Sequence, residues 1–420
     1  MDNYLSRYIE STISKKMRSS GVVLVEGPKF CGKTTTSAIF AKSEIRLNTK
    51  AAITIARIEP YNVLIGERPR LIDEWQTVPD LWNQAKAWID ENPGFGQFIF
   101  TGSSTPVDNS DIFHSGAGRI SRVMMRPMSL FESRDSKGSV SLSSLFNGDN
   151  PAVFDMNGQY GLSDTAFLLC RGGWPLSIQP DKDVALDVTS NYYESLFNLD
   201  NSENPNFRNK NPEIMKIVMK AYARHVSSQT PTSRILADIA ARDSRSISNK
   251  TFDEYADILT DLFIIEDMEA WNPNLRSKTV VRSTPTHHFV DASIAAQALG
   301  ASPADLMSDL NTFGLLFEDM AVRDLRVYAQ TLNGNVLHYR DSRGLECDTI
   351  VHLKDGRWAP IEIKLGGDNL IEEGARNLLK LKSDIAETNQ PSFLMILTAT
   401  GPAFRRKDGI YVVPINCLKA

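Results

Sequence analysis

A glycine-rich segment near the beginning of the chain has the residue types of a phosphate-binding loop. Residues 27–34 read Gly-Pro-Lys-Phe-Cys-Gly-Lys-Thr, which is a complete G-x-x-x-x-G-K-T pattern. In this pattern backbone N–H groups wrap a polyphosphate, the lysine reaches the β- and γ-phosphates, and the threonine hydroxyl binds Mg²⁺. We therefore expect Thr34 to bind Mg²⁺, and ATP to be held by Gly27, Pro28, Lys29, Phe30, Cys31, Gly32, Lys33, Thr34 and Thr35.

An acidic pair downstream supplies the second half of a hydrolytic site. Asp73 and Glu74 follow the short apolar run Leu71-Ile72. Because a phosphate loop needs an acidic partner, Asp73 is predicted to hold Mg²⁺ through water, and Glu74 is predicted to polarise the attacking water as a general base. The alternative is an acidic pair on a solvated surface.

Three further side chains are candidates for contacts with the γ-phosphate. Thr101 and Ser103 follow the apolar run Phe98–Phe100, and either can contact the γ-phosphate or its water; a polar turn after a buried strand is the alternative. Arg119 follows the glycine pair of Gly116-Ala117-Gly118 and is predicted to be an arginine finger, acting in its own site or in that of a neighbouring subunit. A surface arginine or a structural ion pair is the alternative for Arg119.

A second set of chemical groups lies near the end of the chain. Glu362 and Lys364 are two residues apart, so on a strand they share a face, and a turn through residues 354–356 would bring Asp348 beside them. Asp348 and Glu362 would bind one Mg²⁺, with Glu318 as a further ligand from the preceding helix. Lys364 would orient or deprotonate the attacking water of a phosphodiester cleavage. Ordinary ion pairs on exposed strands are the alternative.

The elements that would position the phosphate loop follow from the apolar pattern. Strands are predicted at residues 22–25, 52–55, 71–72 and 98–100, and a helix is predicted at 34–42. Strands that alternate with helices imply an α/β domain with a parallel sheet covered on both faces.

The remaining segments have weaker signals. Residues 134–150 are rich in Ser, Gly, Asp and Asn and are predicted to form a loop or an insertion. Helices at 235–240 and 251–262, followed by a strand at 263–265, indicate a winged-helix-like module. Leu5, Ile9 and Ile13 recur every four residues, which predicts a short amphipathic helix before the first strand.

Bulk properties limit the class of protein. The 420 residues suggest two or three domains, and 42% hydrophobic and 23% charged residues are typical of a globular protein. The net charge of −5 gives no global signal for nucleic acid. No apolar run has membrane-spanning length, so no membrane partner is expected. The four cysteines are Cys31, Cys170, Cys347 and Cys417, and their spacing is typical of neither a zinc site nor a disulfide framework. This favours a cytoplasmic location.

Several motifs together resemble a prokaryotic family of AAA-type ATPases. They are residues 68–76, Thr101-Gly102-Ser103, residues 114–119, residues 126–132 and Arg171-Gly172-Gly173-Trp174-Pro175. Family members carry a C-terminal domain of uncharacterised function that is related to restriction-endonuclease-like folds. The order Glu318, Asp348, Glu362-x-Lys364 is itself similar to the signature of those nucleases.

The resemblance implies three domains. They are an AAA-like P-loop NTPase domain at residues 1–185, a helical, winged-helix-like linker at 186–300, and an α/β restriction-endonuclease-like domain at 301–420. The expected function is a Mg²⁺-dependent ATPase whose nucleotide state controls the C-terminal domain. An ATP-regulated DNA or RNA nuclease and a non-catalytic ATP-binding adaptor are the alternatives. Nucleic acid at the C-terminal domain, a second copy of the chain and another protein are the partners considered.

Overall fold

The first part of the chain folds around a parallel sheet, as predicted. The computed structural model describes residues 4–105, 116–149, 154–155, 160–197, 210–243, 245–273 and 284–420. Helix α1 (Ile9–Met17) precedes a five-stranded sheet in the order β2-β3-β4-β1-β5, in which every pair is parallel. Its strands are β1 (Val22–Glu26), β2 (Ser43–Arg46), β3 (Arg70–Asp73), β4 (Phe98–Gly102) and β5 (Ile120–Met124).

Four helices accompany this sheet, and one of them corrects the prediction. They are α2 (Lys33–Ala38), α3 (Lys50–Ile58), α4 (Pro60–Val63) and α5 (Leu81–Glu91). The predicted strand at 52–55 is wrong, because these residues lie inside α3. The Thr49 hydroxyl accepts a hydrogen bond from the Ala52 N–H at 3.2 Å and so caps the helix. A short apolar run fits either state, and the capping residue decided between them.

The two faces of the sheet pack against different parts of the chain. Val22 and Leu24 point into a core shared with α3 and α5. Val23 and Val25 point the other way, into a core that continues through the middle and C-terminal parts of the chain. Strand β1 is therefore buried on both faces, as expected for a central strand of a parallel sheet.

The middle of the chain is helical, with two departures from prediction. Residues 134–150 are not simply a loop, because they contain β6 (Val140–Ser141) and α6 (Leu142–Asn147). Residues 263–265 form no strand; an isolated antiparallel bridge joins Ile265 to Phe289. The predicted helix at 235–240 lies within α11, and the one at 251–262 corresponds to α12, which ends one residue earlier. The elements here are β7 (Phe154–Asp155), α7 (Leu162–Arg171), α8 (Pro175–Ile178), α9 (Lys182–Ser195), α10 (Pro212–Arg224), α11 (Thr232–Arg242), α12 (Asn249–Asp261), α13 (Ala292–Leu299) and α14 (Pro303–Ser308).

The C-terminal part is a second α/β unit around a seven-stranded sheet. Its strand order is β7-β12-β13-β11-β10-β9-β8, and β9 and β10 form the predicted antiparallel hairpin. Strands β7 and β6, from residues 154–155 and 140–141, pair with β12 and β14. The elements are α15 (Leu310–Thr331), β8 (Gly334–Arg340), β9 (Glu346–Leu353), β10 (Trp358–Lys364), α16 (Asp368–Asp384), β11 (Met395–Thr398), β12 (Ala403–Arg405), β13 (Tyr411–Pro414) and β14 (Leu418–Lys419). Within the part of the chain that the structure describes, every helix is too short or too polar to span a membrane.

Candidate functional site

The phosphate loop lies between β1 and α2, and its glycines are required by the backbone. Gly27 has a φ of 153°, and a Cβ at this position would lie 2.1 Å from the carbonyl oxygen of Met125. Gly32 has a φ of 101° and forms the N-cap of α2. Both conformations are costly for residues with a side chain, so the loop needs glycine at these two positions. The free N–H groups at the start of α2 then face the loop.

Lys33 lies folded against the loop. Its side chain is buried, and Nζ donates hydrogen bonds to the carbonyl oxygens of Gly27 at 2.9 Å and Pro28 at 2.8 Å. Lys29, in contrast, is exposed on the outside of the same loop. Of the two lysines in this loop, Lys33 is therefore the one whose ammonium group faces the loop backbone.

Asp73 meets the phosphate loop as the sequence predicts. It is the last residue of β3, next to the carboxyl end of β4 in the parallel sheet. The Thr34 hydroxyl donates a hydrogen bond to Asp73 Oδ1 at 2.7 Å, and the Thr101 hydroxyl donates to the same oxygen. A hydroxyl and a carboxylate are oxygen donors of the kind that Mg²⁺ prefers, so Thr34 and Asp73 fit the ion by chemistry.

Glu74 has a backbone conformation that is rare for its residue type. Its φ of 60° and ψ of 44° lie in the left-handed region, which costs about 1–3 kcal/mol for a residue with a side chain. The Ser103 hydroxyl donates a hydrogen bond to Glu74 Oε2 at 2.9 Å, and Gln76 Nε2 donates to the same oxygen at 2.5 Å. Ser103, a candidate for the γ-phosphate, therefore contacts the carboxylate of Glu74.

Gln76 is a member of this cluster that the sequence argument missed. Its amide also donates to the Ser103 hydroxyl at 3.3 Å, so Glu74, Gln76 and Ser103 form one hydrogen-bonded group. Gln76 follows the acidic pair in sequence, but it lies in a short 3₁₀ turn at residues 75–77. Only that turn directs its amide back toward Glu74, and the spacing alone gives no such signal.

Arg119 lies at the wrong end of the sheet for action in its own site. It directly precedes β5, where Ile120 pairs with Val22 at the amino end of β1, while the phosphate loop follows the carboxyl end. Four residue steps along the strand separate these ends by about 13 Å. Arg119 Nε donates instead to Asp90 Oδ1 at 2.8 Å. The reading of Arg119 as a finger in its own site is therefore wrong, while action on a neighbouring subunit stays a prediction. Residues 114–115 of this motif lie outside the described residues.

Two other motifs of the resemblance make contacts within the chain. Arg126 Nε donates to Glu266 Oε2 at 2.8 Å, and its Nη2 donates to Oε1 at 2.5 Å. Gly173 packs so closely on Met128 that a Cβ would lie 2.1 Å from its carbonyl oxygen. Both motifs join the end of the AAA-like part to the middle of the chain.

The four C-terminal residues singled out from the sequence come together in the fold. Lys364 Nζ lies 3.0 Å from Asp348 Oδ2 and 2.8 Å from Glu362 Oε2. Asp348 Oδ2 also accepts the N–H of Ile363 at 2.7 Å, which fixes its position on the hairpin. Glu318, on α15, is close enough for its charge to interact with those of Asp348, Glu362 and Lys364.

Burial and like charge change the acidity of this cluster. Burial and the Asp348 carboxylate raise the pKa of Glu362 to about 8, although Lys364 opposes the shift. Burial and Asp348 also raise the pKa of Glu318 well above its ordinary value. Burial lowers the pKa of Lys364, but Asp348 and Glu362 outweigh it, so the net shift is upward. Lys364 therefore stays charged, and it can orient a water but not deprotonate one in this arrangement.

A cleft gives access to the cluster. It has a volume of about 160 Å³, and its lining includes Glu318, Asp348 and residues 227–229. Among the described residues, no three His, Cys, Asp or Glu side chains are arranged as ligands of one metal ion. In this cluster the Lys364 ammonium lies between the carboxylates of Asp348 and Glu362. The carboxylate donors suit Mg²⁺ by chemistry, and their assignment as ligands stays a prediction.

Comparisons with known proteins divide the chain into three parts. Residues 19–133 match the family model of an AAA domain. Residues 162–305 match a domain of unknown function, DUF8612, and residues 313–418 match another, DUF4143. The uncharacterized protein Rv2008c of Mycobacterium tuberculosis and its counterpart Mb2031c of Mycobacterium bovis are each 23% identical over 374 residues, which cover 87% of this chain and 75% of the relative.

Two solved structures are similar to parts of the chain. The Walker-type ATPase PABY2304 of Pyrococcus abyssi has a TM-score of 0.45 and 14% identity, with 71% of this chain and 96% of that chain covered. The STAND protein PH0952 of Pyrococcus horikoshii, which has a tetratricopeptide repeat sensor, has a TM-score of 0.27 and 13% identity, with 79% and 50% covered. The parallel sheet, the phosphate loop and the matched model together identify residues 19–133 as an AAA-type P-loop domain.

Proposed function

We propose that the protein is a Mg²⁺-dependent ATPase of the AAA type. The observation that carries the proposal is the hydrogen-bonded contact between the two halves of the site. Thr34, from the phosphate loop, donates to Asp73 at 2.7 Å, and Glu74 follows directly at the end of the same strand. A loop that only bound Mg²⁺ and nucleotide would need Asp73, but it would not need a second carboxylate, Glu74, beside it.

Each side chain has a defined part in this proposal. Lys33 binds the β- and γ-phosphates, and Thr34 and Asp73 hold Mg²⁺, which neutralises charge on the phosphates. Glu74 accepts a proton from the attacking water. Ser103 and Gln76 hold the Glu74 carboxylate in place through hydrogen bonds of 2.9 and 2.5 Å.

The experiment measures nucleotide binding and phosphate release separately. Lys33→Ala is expected to abolish binding of ATP, whereas Glu74→Gln is expected to bind ATP and to lose hydrolysis by about 10²–10⁴-fold, the usual contribution of a general base. Lys29→Ala is the matched control, because Lys29 is an exposed lysine of the same loop. Unchanged binding in Lys33→Ala would refute the proposal. Stable binding without turnover, unaffected by Glu74→Gln, would favour the adaptor.

We propose further that the nucleotide state acts on the C-terminal part through α15. One end of this helix contacts the AAA domain: Gln330 Nε2 donates to the carbonyl oxygen of Met124 at 3.0 Å, and the Leu130 N–H donates to Asp324 at 2.9 Å. Met124 ends β5, beside the phosphate loop. Glu318 lies on the same helix, about 18 Å from Gln330 at 1.5 Å per residue.

Hydrogen exchange tests whether nucleotide binding at the AAA domain affects α15. An ATP analogue bound to Glu74→Gln is expected to change hydrogen exchange in the peptide that contains Glu318, and Gln330→Ala is expected to reduce that effect. Gln297→Ala on α13, a partly exposed glutamine of a different helix, is the control. Analogue binding that leaves exchange around Glu318 unchanged would refute the coupling and leave the ATPase proposal intact.

A second candidate function is phosphodiester cleavage at the C-terminal cluster. It is favoured by the convergence of Asp348, Glu362 and Lys364 within 3.0 Å contacts beside a cleft. Bound Mg²⁺ would polarise a phosphoryl oxygen. The carboxylates of Asp348 and Glu362 would hold the ion, and Lys364 would orient the phosphate or water.

The nuclease assay uses single- and double-stranded DNA and RNA with Mg²⁺ or Mn²⁺, with and without ATP. Asp348→Ala and Lys364→Ala are expected to lose cleavage, while Lys354→Ala, in the exposed hairpin turn, is the control. Cleavage that survives both cluster variants would indicate a contaminant and reject this site.

A further inference from the structure

Arg7 contacts the phosphate loop from outside the matched AAA domain. It lies in the segment before α1, whereas the domain match begins at residue 19. Its buried guanidinium donates from Nη1 to the carbonyl oxygen of Cys31 at 2.8 Å and from Nη2 to the carbonyl oxygen of Arg126 at 2.8 Å. Its Nε donates to Glu132 Oε1 at 3.2 Å. One side chain thus joins the loop to the segment that follows β5.

We propose that Arg7 is a positioning residue for nucleotide binding, an inference that rests on the ATPase proposal. The Cys31 carbonyl and the Gly32 N–H belong to one planar trans peptide, so they point in opposite directions. A guanidinium that holds the carbonyl on the outside of the loop therefore directs the Gly32 N–H toward the inside. This N–H is one of the groups with which such loops bind phosphate.

The guanidinium is itself held in place. Glu132, its ionic partner, also accepts the Tyr8 N–H at 2.7 Å and the Ser129 N–H at 2.8 Å. Two of the three Arg7 hydrogen bonds go to backbone carbonyls, which a structural ion pair with Glu132 alone would not need. The forked guanidinium can reach all three acceptors together, and the single ammonium of a lysine cannot.

The same segment supports the helix after the loop. The Tyr4 hydroxyl donates to Glu10 Oε1 at 2.8 Å and accepts the hydroxyl of Thr36, on α2, at 3.1 Å. Tyr8 stacks on Phe131 with a ring separation of 5.6 Å and meets Tyr328, on α15, edge to face at 5.7 Å. The segment is therefore wedged between the phosphate loop and the C-terminal part, which keeps Arg7 in register with Cys31.

The test measures nucleotide affinity in the full chain by titration with a fluorescent ATP analogue and Mg²⁺. Arg7→Lys keeps the charge beside Glu132 but loses at least one carbonyl contact. It is expected to raise the Kd about tenfold, the free-energy scale of one charge-assisted hydrogen bond. Arg224→Lys is the control, because Arg224 pairs with Asp238 and Asp243 in the middle of the chain. Hydrogen exchange of the peptide that covers residues 27–34 is expected to rise only in Arg7→Lys.

Melting temperatures without nucleotide separate positioning from stability. The proposal expects a similar decrease for Arg7→Lys and Arg224→Lys but a weaker affinity only for Arg7→Lys. If Arg7→Lys melts well below the control, the Kd is measured in Arg7→Met combined with Glu132→Gln, which removes both buried charges. A Kd within twofold of wild type in the folded variant would overturn the proposal. Failure of the wild type to bind nucleotide would instead overturn the ATPase proposal.

Discussion

Replacement of Lys364 is expected to weaken the C-terminal sheet by an amount that depends on pH. The Lys364 ammonium lies 3.0 Å from Asp348 and 2.8 Å from Glu362, and its side chain is only 18% exposed. Lys364→Met leaves these carboxylates together with no cation between them. Loss of one partner of a buried ion pair costs about 3–5 kcal/mol, because the remaining charge is uncompensated.

The pH dependence follows from the direction of the pKa shifts. The pKa of Glu362 is raised to about 8 in the folded chain, so protonation favours folding, and stability falls as the pH rises from about 4.5 through 8. Without Lys364 this pKa rises further. At pH values where the folded variant holds a proton that the folded wild type has lost, the stability lost by the variant grows by about 1.4 kcal/mol per pH unit. We therefore expect a loss of about 3–5 kcal/mol at pH 9 and a smaller loss at pH 6, where Glu362 is protonated with or without Lys364.

A local probe is needed because a chain with several domains does not unfold in one step. Trp358 lies on β10 with the cluster and is 1% exposed, so the ¹⁹F signal of 5-fluorotryptophan at this position reports on urea unfolding of the C-terminal sheet. Lys354→Met is the control, because Lys354 is an exposed residue of the hairpin turn. It is expected to cost less than about 1 kcal/mol at either pH. A loss in Lys364→Met that is equal at pH 6 and pH 9, or no larger than the control, would refute the reasoning.

Three other predictions concern the ATPase site. Gly27→Ala places a Cβ 2.1 Å from the Met125 carbonyl, so nucleotide affinity is expected to fall at least about tenfold in a fluorescent titration, as expected for a backbone shift at a phosphate loop. Gln76→Ala removes the 2.5 Å hydrogen bond to Glu74, and kcat for phosphate release is expected to fall about tenfold with KM unchanged; an unchanged kcat would contradict this. Arg119 lies far from its own loop, so it can act only on the site of a neighbouring subunit. Arg119→Ala is therefore expected to lose only that part of the phosphate-release rate per chain that increases with protein concentration. A loss at every concentration would argue against action on a neighbouring subunit.

The phosphate loop and the acidic pair could be predicted because local sequence determines their geometry. Gly27 and Gly32 adopt positive φ values that favour glycine, and Asp73 ends a buried strand of a parallel sheet. The carboxyl ends of parallel strands meet at one edge, so Asp73 and Thr34 had to approach each other. The C-terminal cluster was predictable for a related reason, since Glu362 and Lys364 alternate on one strand of a hairpin.

The parts that could not be predicted depend on contacts between distant segments. Arg7 reaches Cys31 only because the segment before α1 packs beside the loop, and no spacing pattern links the two. Arg119 looked suitable as a finger because glycines precede it, but strand register places it at the amino end of β5. Residues 52–55 favoured a strand by their apolar character, and the Thr49 cap made them a helix.

Helix α15 is held in one position by buried polar contacts with other segments. Buried ionisable side chains are costly unless they have hydrogen-bonded or ionic partners, and this helix buries four of them. Each has a partner in a different segment: Asp319 with His288, Arg323 with Asp291, Asp324 with the Leu130 N–H, and Arg326 with Glu266. Directed contacts of this kind specify both the rotation and the axial position of a helix, because a shift of about one ångström would break several at once.

The partner of Arg326 also ties this helix to the AAA domain. Burial alone would raise the pKa of Glu266, but Arg126 and Arg326 together lower it to about 2. One carboxylate therefore joins the segment after β5 to α15 as an anion throughout the neutral pH range. A nucleotide-dependent shift at the carboxyl end of β5 would have to carry α15 with it or break this partly buried pair and leave the Glu266 carboxylate without one of its cations. Movement of α15 together with the segments that it contacts would keep these pairs intact, and it would displace Glu318 relative to Asp348 and Glu362, which lie on the sheet.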